Sequence, residues 1–209
     1  MHLRQASIAL ATAAATMATL SCSPAAAVAR RVPPGPTLAQ SISTQIAKAE
    51  AMPWTLARRL TWADFKGGAP RDSGAAAETA YTLFYGVRCA GETFEFRVVA
   101  AFRPNDSWVR PAVLKSPGDS SRALRHEQTH FDLSEVHARR MRRYFSELIA
   151  PCRRTADELA SMAERLVRDE RAAQSDYDKE TDHSRSPAQQ ARWDKEVGAQ
   201  LSALVKFAR

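Results

Sequence analysis

The amino-acid sequence predicts an α+β fold, in which a small antiparallel sheet is followed by three helices. Two observations predict this order. Between residues 60 and 114, β-branched and aromatic residues are grouped between Gly, Pro, Asn and Asp, as is typical of short strands. Beyond Pro117, apolar residues recur at helical spacing, and residues that favour helix starts precede each run.

Two long strands and one short strand are predicted for the sheet. The first covers residues 79–89 and the second covers residues 92–102, with Gly91 near the turn between them. The turn residues Pro104-Asn105-Asp106 precede the short strand, which includes Trp108 and Val109. In the second strand, the residues predicted to share one face are Phe94, Phe96, Val98 and Ala100.

Start signals predict the three helices. Gly118-Asp119-Ser120 caps a helix over residues 121–148, and Pro151 prevents it from continuing. Thr155 and Glu158 form a capping box that opens the second helix. Ser186-Pro187-Ala188-Gln189 opens the third, so residues 176–185 are predicted to be a loop or a frayed helix end. The predicted buried faces are Leu159, Met162, Ala163 and Leu166 in the second helix, and Trp193, Val197, Leu201 and Leu204 in the third.

Residues 1–27 have the pattern of a secretory signal. A short basic start is followed by an uncharged stretch of mostly Ala, Leu, Ile and Thr, and Ala25-Ala26-Ala27 is a small-x-small cleavage site. In an alternative interpretation Cys22 is a lipidated N-terminus, but Thr19-Leu20-Ser21 has its Leu one position away from the usual place. We therefore expect a periplasmic or secreted chain that starts near Val28 and is not stably inserted in a membrane.

The mature chain is predicted to be one domain with a short N-terminal extension. Residues 28–53 are a Pro-rich linker and a short helix, in which Leu38, Ile42 and Ile46 recur every four residues. Residues 54–209 form the domain. Its composition, with 44% hydrophobic and 25% charged residues in the whole chain, is that of a globular protein. The net charge is +7, but the Arg residues are interspersed with Asp and Glu, so we expect no nucleic-acid partner.

Removal of the signal leaves two cysteines, Cys89 and Cys152. An even pair in an oxidising compartment favours a disulfide. Two separate buried thiols are the alternative, because the sequence does not give the distance between them. Neither residue has a second Cys at metal-finger spacing.

The candidate chemistry lies in the run His126-Glu127-Gln128-Thr129-His130. Histidines four residues apart lie on one face of a helix, about 6 Å apart along its axis, so both can reach one ion. In zinc hydrolases with this pattern the Glu is the general base. Only five histidines occur in the chain, so a chance match to the pattern is improbable. We predict a zinc site with His126 and His130 as ligands and Glu127 as catalytic base.

A catalytic zinc usually has three protein ligands, so one ligand must come from elsewhere. Glu135 points away from the histidine face and is a candidate for an outer contact or an alternative ligand. His137 returns to that face, but it lies about 10 Å beyond His130 along the axis. In metzincins the helix ends at a Gly, and the chain turns back to supply a third His. Leu133 occupies the position of that Gly here, so this route to a third ligand is not open. The carboxylates predicted to be solvated helix charges are Glu158, Glu164 and Glu170.

The polar segment before the third helix offers the remaining candidates. His183 is the predicted third ligand, because a His in a loop between two helices can face the first helix. Asp178 is the alternative ligand, and either residue can instead fix the tautomer of an imidazole. Tyr177 is a further candidate for an outer contact, and Tyr177 and Tyr144 are candidates for stabilising an oxyanion.

These motifs resemble a bacterial family of predicted secreted zinc-dependent proteases, known as domain of unknown function 922. The resemblance spans about residues 54–205. Its matching residues are Leu60-Thr61-Trp62-Ala63-Asp64-Phe65-Lys66-Gly67, Ser107-Trp108-Val109, His126-Glu127-Gln128-Thr129-His130-Phe131-Asp132, Glu135, Ala138-Arg139, Tyr177-Asp178, Thr181, His183, Gln190 and Trp193.

The resemblance implies a zincin-like metallopeptidase fold, zinc as the cofactor and a peptide or protein as the substrate. It also implies the pairing of Cys89 with Cys152. The chain departs from the family pattern at Ser184, where Gly is expected after the His. The expected function is that of an exported zinc-dependent metallohydrolase. The alternative is a non-catalytic cell-envelope protein that zinc stabilises or that binds other envelope components.

Overall fold

A computed structural model describes residues 35–208 and has an α+β fold with two small antiparallel sheets and several helices. The predicted signal, its cleavage site and Cys22 lie outside these residues. In chain order the longer elements are α1 (Leu38–Lys48), β3 (Tyr81–Ala90), β4 (Thr93–Phe102), α3 (Pro117–Ser146), α4 (Ala156–Thr181) and α5 (Pro187–Ala203). The shorter ones are β1 (Met52–Pro53), β2 (Ala77–Glu78), β5 (Trp108–Val109) and α2 (Pro111–Leu114).

The larger sheet has three strands in the order β1-β4-β3. The predicted hairpin is confirmed, because β3 and β4 pair antiparallel from Tyr81 opposite Phe102 to Ala90 opposite Thr93. Gly91 in the turn has a φ of 59°, a left-handed conformation that glycine adopts without a steric penalty. The predicted face of β4 is also confirmed, since Phe94, Phe96, Val98 and Ala100 all pack into the main core.

The short strand at Trp108 and Val109 forms, but it does not join the hairpin. It pairs with β2 in a separate two-stranded sheet, and the third strand of the larger sheet is β1. The reason lies at Ser107, whose hydroxyl donates to the carbonyl of Arg103 at 2.8 Å and accepts from the backbone N–H of Ala80 at 2.9 Å. This hydrogen bonding turns the chain away from β4.

Helix α3 is the centre of the domain. One side of it carries Phe131, Met141 and Phe145 into the core beneath β4. Another side packs Leu133 and Val136 against a second cluster, which contains Tyr177 of α4 and Trp193 and Val197 of α5. Because neighbouring elements cover α3 on several sides, its polar residues near the middle are buried as well.

The predicted helix starts are correct to within a few residues, but their caps differ. The capping box of α4 is confirmed, with Glu158 N–H donating to Thr155 Oγ1 at 3.1 Å and Thr155 N–H donating to Glu158 Oε2 at 2.7 Å. Helix α3 begins at Pro117, before the predicted cap, and Ser116 makes no side-chain capping bond. Ser186 precedes α5 as predicted, but its hydroxyl does not cap the helix.

The prediction of a loop over residues 176–185 is wrong for its first part, because α4 continues to Thr181. Tyr177 and Thr181 are completely buried, and they extend the buried stripe of α4 by one more turn. The charged residues that suggested a loop, among them Lys179, lie on the exposed face of this turn. Asp178 is therefore held by a helix, and only residues 182–186 connect α4 to α5.

The disulfide between Cys89 and Cys152 is confirmed, with the Cα atoms 5.6 Å apart. It joins the end of β3 to the segment between α3 and α4. The alternative of two separate thiols is thereby excluded. For cysteines 63 residues apart, closing the loop in the unfolded chain stabilises the fold by about 4 kcal/mol.

Within residues 35–208, no helix is both long enough and apolar enough to span a membrane.

His137 makes the stability of the fold depend on pH. Burial, together with the charge of Arg140, lowers the pKa of His137 from 6.5 to about 4. Between these two values the unfolded chain binds a proton that the folded protein does not, so the free energy of unfolding falls as the pH falls from about 6.5 to about 4. The expected loss is at most about 3 kcal/mol.

Urea unfolding at a series of pH values measures this effect. The variant His137→Gln cannot titrate but keeps an oxygen that can accept from Arg140, so its free energy of unfolding should fall less than that of the wild type over the same interval. Equal pH dependence in the two proteins would show that His137 does not contribute.

Candidate metal centre

His126 and His130 lie one helical turn apart on α3, as the sequence predicts. Their Nε2 atoms are 3.1 Å apart, and their ring planes are nearly perpendicular, at 89°. The two side chains are only 7% and 13% exposed. Both Nε2 atoms therefore converge on one buried point.

Asp178 of α4 supplies a third atom at that point. Its Oδ1 lies 3.1 Å from Nε2 of His126 and 3.0 Å from Nε2 of His130. Among the described residues, His126, His130 and Asp178 are the group of His, Cys, Asp or Glu side chains close enough together to hold a metal ion.

The three atoms fit a zinc ion. Imidazole nitrogen and carboxylate oxygen are both zinc ligands, and they bind at 2.0–2.2 Å. In a tetrahedral arrangement, ligands at such distances are roughly 3.3 Å from one another, close to the spacings between His126, His130 and Asp178. The donor set therefore suits zinc in both chemistry and spacing.

The electrostatics of the cluster favour a charged carboxylate. Burial would raise the pKa of Asp178, but hydrogen bonds from His126 and His130 outweigh burial and hold this pKa well below its usual range. Burial would lower the pKa of His130, but its hydrogen bond with Asp178 and the charge of Glu127 raise it instead. Asp178 is thus an anion that favours positive charge between the two imidazoles.

Glu127 lies in the same cavity as the three clustered side chains. It is only 5% exposed, and none of the described residues donates a hydrogen bond to its buried Oε2. A buried carboxylate oxygen without a donor is unfavourable unless a ligand or water supplies one. Its position is that expected of a base that acts on a molecule in the cavity.

The cavity has a volume of about 360 Å³ and lies between β2, α3 and α4. Besides the cluster and Glu127, its lining includes Glu78, Thr79, Tyr81, Gln174 and His183. A larger cavity of about 690 Å³ lies between residues 54–59 and α5. Its carboxylates Asp132 and Asp194 accept several hydrogen bonds each, so neither is a free base.

His183, the predicted third ligand, lies beside the cluster. Its Nδ1 is 3.6 Å from Oδ1 of Asp178, and its side chain is 64% exposed. Asp182, His183 and Ser184 have consecutive positive φ angles of 49°, 49° and 74°. Glycine adopts such angles without strain, which gives a physical reason to expect Gly at the position of Ser184. The geometry places Asp178 in the cluster and His183 at its rim.

Of the other residues considered as ligands or contacts of the site, Tyr177 lies beside it, whereas Glu135 and His137 lie elsewhere in the domain. Tyr177 stacks on the ring of His126 with the centroids 4.6 Å apart, so it lies directly beside one of the clustered histidines. Glu135 instead pairs with Arg139 and Arg142, both at 3.0 Å. His137 lies outside the cluster, in agreement with the prediction from its position along the helix.

Neither tyrosine proposed for an oxyanion has the required position. The hydroxyl of Tyr177 donates to Oε1 of Gln190 at 2.8 Å and is completely buried. Tyr144 packs against Phe145 near the end of α3, roughly 20 Å along the helix from His130. Tyr81 lines the cavity and was not predicted from its local sequence.

Two further residues that contact the site, both on α4, were not predicted from the sequence. Glu170 is not a solvated charge as predicted, since it is only 2% exposed and accepts a hydrogen bond from Tyr81 at 2.5 Å. Gln174 contacts Nδ1 of His130 at 2.6 Å. The available signal was the four-residue spacing of Glu170, Gln174 and Asp178, which places all three on one helix face.

A family described as bacterial protein of unknown function (DUF922) matches residues 54–184. The matched span contains both clustered histidines, Glu127, Asp178 and His183, and it ends before α5. No curated protein and no solved structure matches the chain. The match covers more than half of the 209 residues, and the chain therefore belongs to this bacterial family of unknown function.

Proposed function

We propose that this protein is an exported zinc-dependent metallohydrolase that cleaves peptide bonds. The observation that carries the proposal is the presence of two features in one cavity. Three ligand atoms, from His126, His130 and Asp178, lie within 4.8 Å of one another, and the buried carboxylate of Glu127 has an oxygen to which no described residue donates. Export is supported by the signal pattern in the sequence and by the disulfide, which is typical of oxidising compartments.

The number of ligands favours catalysis over a purely structural role. A structural zinc is usually enclosed by four protein ligands, whereas a catalytic zinc has three and an open position. Three ligand atoms converge among the described residues. The mostly exposed His183, whose Nδ1 lies 3.6 Å from Oδ1 of Asp178, is a side chain of this cavity that could become a fourth ligand and close the site.

Zinc held by these residues would supply a Lewis acid that polarises the substrate carbonyl and makes water more acidic. Glu127 is the general base, because a carboxylate without a donor can accept the proton of the attacking water. The same carboxyl group then donates this proton to the amine that leaves. Asp178 would neutralise part of the positive charge at the site.

The edge of β2 supports an extended peptide as substrate. Among the described residues, β2 pairs with β5 alone, and Ala77 and Glu78 line the cavity. Arg110 N–H donates to the carbonyl of Ala76 at 2.9 Å, so by the alternation of antiparallel pairing the N–H and C=O of Ala77 point away from β5. These groups can bind a peptide that adds to the free edge as a further strand.

Metal removal and replacement tests the proposal. The purified protein should hydrolyse a labelled disordered protein such as reduced casein, lose this activity after dialysis against a chelator, and regain it when zinc is added. Zinc content by mass spectrometry should follow the activity. His126→Ala, purified in parallel, should have neither and controls for a contaminating peptidase.

Hydrolysis that persists in the chelated protein would contradict the proposal. Bound zinc without hydrolysis of any peptide would instead favour the non-catalytic alternative, in which zinc stabilises an envelope protein.

A further inference from the structure

The cavity between residues 54–59 and α5 lies apart from the metal cluster. Its volume of about 690 Å³ is within the range of small-molecule sites. One face of α3, one face of α5 and the segment 54–59 form its walls, and none of the described residues lines both this cavity and that of His126 and His130. The proposed hydrolysis makes no use of it.

Much of the cavity wall is apolar. Trp54 and Val197 line it and are buried, and Leu201 lies beside them. Leu56 and Val205 also line it, although their side chains are 76% and 66% exposed. An apolar chain in the cavity would remove both of these side chains from water, which is favourable. Exposed apolar surface that continues into a cavity is typical of a binding site.

Arg139 supplies a buried cation to the same cavity. The residue is only 5% exposed, and its guanidinium lies over the ring of Trp54, with Cζ 5.2 Å from the ring centroid. Nε donates to Oε1 of Glu135 at 3.0 Å, and Nη1 donates to the carbonyl of Leu201 at 2.6 Å. Nη2 has no acceptor among residues 35–208 and is not sealed from solvent, so its N–H groups face the cavity that Arg139 lines.

The carboxylates of the cavity wall are more fully used than the guanidinium of Arg139. Within residues 35–208, each of them accepts three hydrogen bonds; they are Asp132, Glu135 and Asp194. Glu135 is shared between Arg139 and Arg142, so it neutralises only one of two positive charges. The charges and the unused donor therefore favour an anionic ligand, which brings the acceptor that the wall lacks.

The same accounting favours an acyl chain over a peptide as the body of this ligand. The backbone N–H groups of a peptide would need further acceptors, which carboxylates that already accept three hydrogen bonds offer poorly. An acyl chain has no such groups and needs only apolar surface.

We propose that this cavity binds a fatty acid, a carboxylate carried on an unbranched apolar chain. Nη2 of Arg139 donates to the carboxylate, and the chain lies along Trp54, Leu201 and Val205. The site is independent of the proposed zinc site, so either proposal can fail without the other.

Calorimetric titration with dodecanoate, below the concentration at which it forms micelles, measures this binding. The purified protein should bind one dodecanoate per chain, with the same affinity before and after dialysis against a chelator. Dodecyltrimethylammonium has the same apolar chain but a positive charge, and it should bind at least about 10-fold more weakly because it cannot accept from Arg139. Acetate has the charge without the chain and should not bind measurably.

Gly198→Trp is the sharpest variant, because it should fill the cavity without disturbing the fold. Gly198 lines the cavity within α5, and a Cβ added there would have no atom within 4 Å. Trp also favours helix more than Gly does. The variant should lose dodecanoate binding. Ala199→Trp adds the same ring at an exposed neighbouring position that does not line the cavity, and it should bind dodecanoate as the wild type does.

Arg139→Gln tests the carboxylate contact. It should weaken dodecanoate binding by at least about 10-fold and reduce the preference for dodecanoate over dodecyltrimethylammonium. Arg143→Gln removes an exposed arginine from the same helix and should change neither. If Arg139→Gln fails to fold, Gly198→Trp and the two probes of opposite charge still decide the question.

Three results would overturn the proposal. The first is unchanged dodecanoate binding in Gly198→Trp, and the second is binding that disappears when zinc is removed, which would place the carboxylate at the metal cluster. The third concerns a different occupant and is measured by sedimentation of the protein without added ligand. A dimer that dissociates in Gly198→Trp would show that a second copy of the chain covers the cavity.

Discussion

Glu127→Gln is expected to lower peptide hydrolysis by about 10²–10⁴-fold, the usual contribution of a general base. The reason is that Gln has nearly the size of Glu but cannot accept a proton. Glu127 does not supply any of the three clustered ligand atoms, so the variant should bind zinc with the affinity of the wild type. Steady-state kinetics on the most rapidly cleaved peptide, together with zinc content, measures both effects.

Glu164→Gln is the matched control, because Glu164 is an exposed glutamate on α4 and its loss should leave the rate unchanged. Two results would contradict the assignment of Glu127. Unchanged hydrolysis with zinc retained would mean that another group is the base. Loss of zinc from Glu127→Gln would mean that this carboxylate takes part in metal binding.

Asp178→Ala is expected to weaken zinc binding by more than about 100-fold, beyond the range typical for the loss of an outer contact. The reason is that Oδ1 of Asp178 lies within 3.1 Å of both Nε2 atoms. His183→Ala should weaken binding by less than about 10-fold, since its side chain is 64% exposed at the rim of the cluster. Asp176→Ala, which removes an exposed carboxylate two residues before Asp178, should have no effect.

The zinc affinities of Asp178→Ala and His183→Ala also test His183, the third ligand that the sequence predicts. A large loss in His183→Ala with little change in Asp178→Ala would identify His183 as the third ligand, and the segment from Asp182 to Ser184 would then have to change conformation on binding. Large losses in both variants would indicate four protein ligands. A site of that kind is typical of structural zinc and would favour the non-catalytic alternative.

The features predicted correctly from the sequence depend on interactions between residues that are close in the chain. The hairpin follows from two alternating strands around Gly91, and the start of α4 follows from the capping box of Thr155 and Glu158. The pairing of His126 with His130 follows from the helical period alone. In each case the partners lie within a few residues of one another or are joined by a tight turn.

The features that were missed depend on burial by distant parts of the chain. Glu170 and Asp178 lie among charged residues, and nothing in their local sequence shows that Tyr81 or the histidines of α3 cover them. The partner of Trp108 and Val109 was missed for the same reason, because β2 has only two residues and no alternating pattern. The predicted end of helix α4 was too early. Most residues near Tyr177 and Thr181 are polar, so the sequence does not show that these two continue the buried face of the helix.

The ligand atoms come from two parts of the chain that only folding brings together. His126 and His130 are neighbours on one helix, whereas Asp178 lies 48 residues beyond His130. An unfolded chain can offer the histidine pair only in a transient helical turn, so at the proposed site the folded protein would bind zinc more tightly. Free zinc at about 100 times the dissociation constant would add about 2.7 kcal/mol to the free energy of unfolding, less any binding by the unfolded chain. The metal supply of the compartment would then influence how much folded protein accumulates there, as well as how much of it is active.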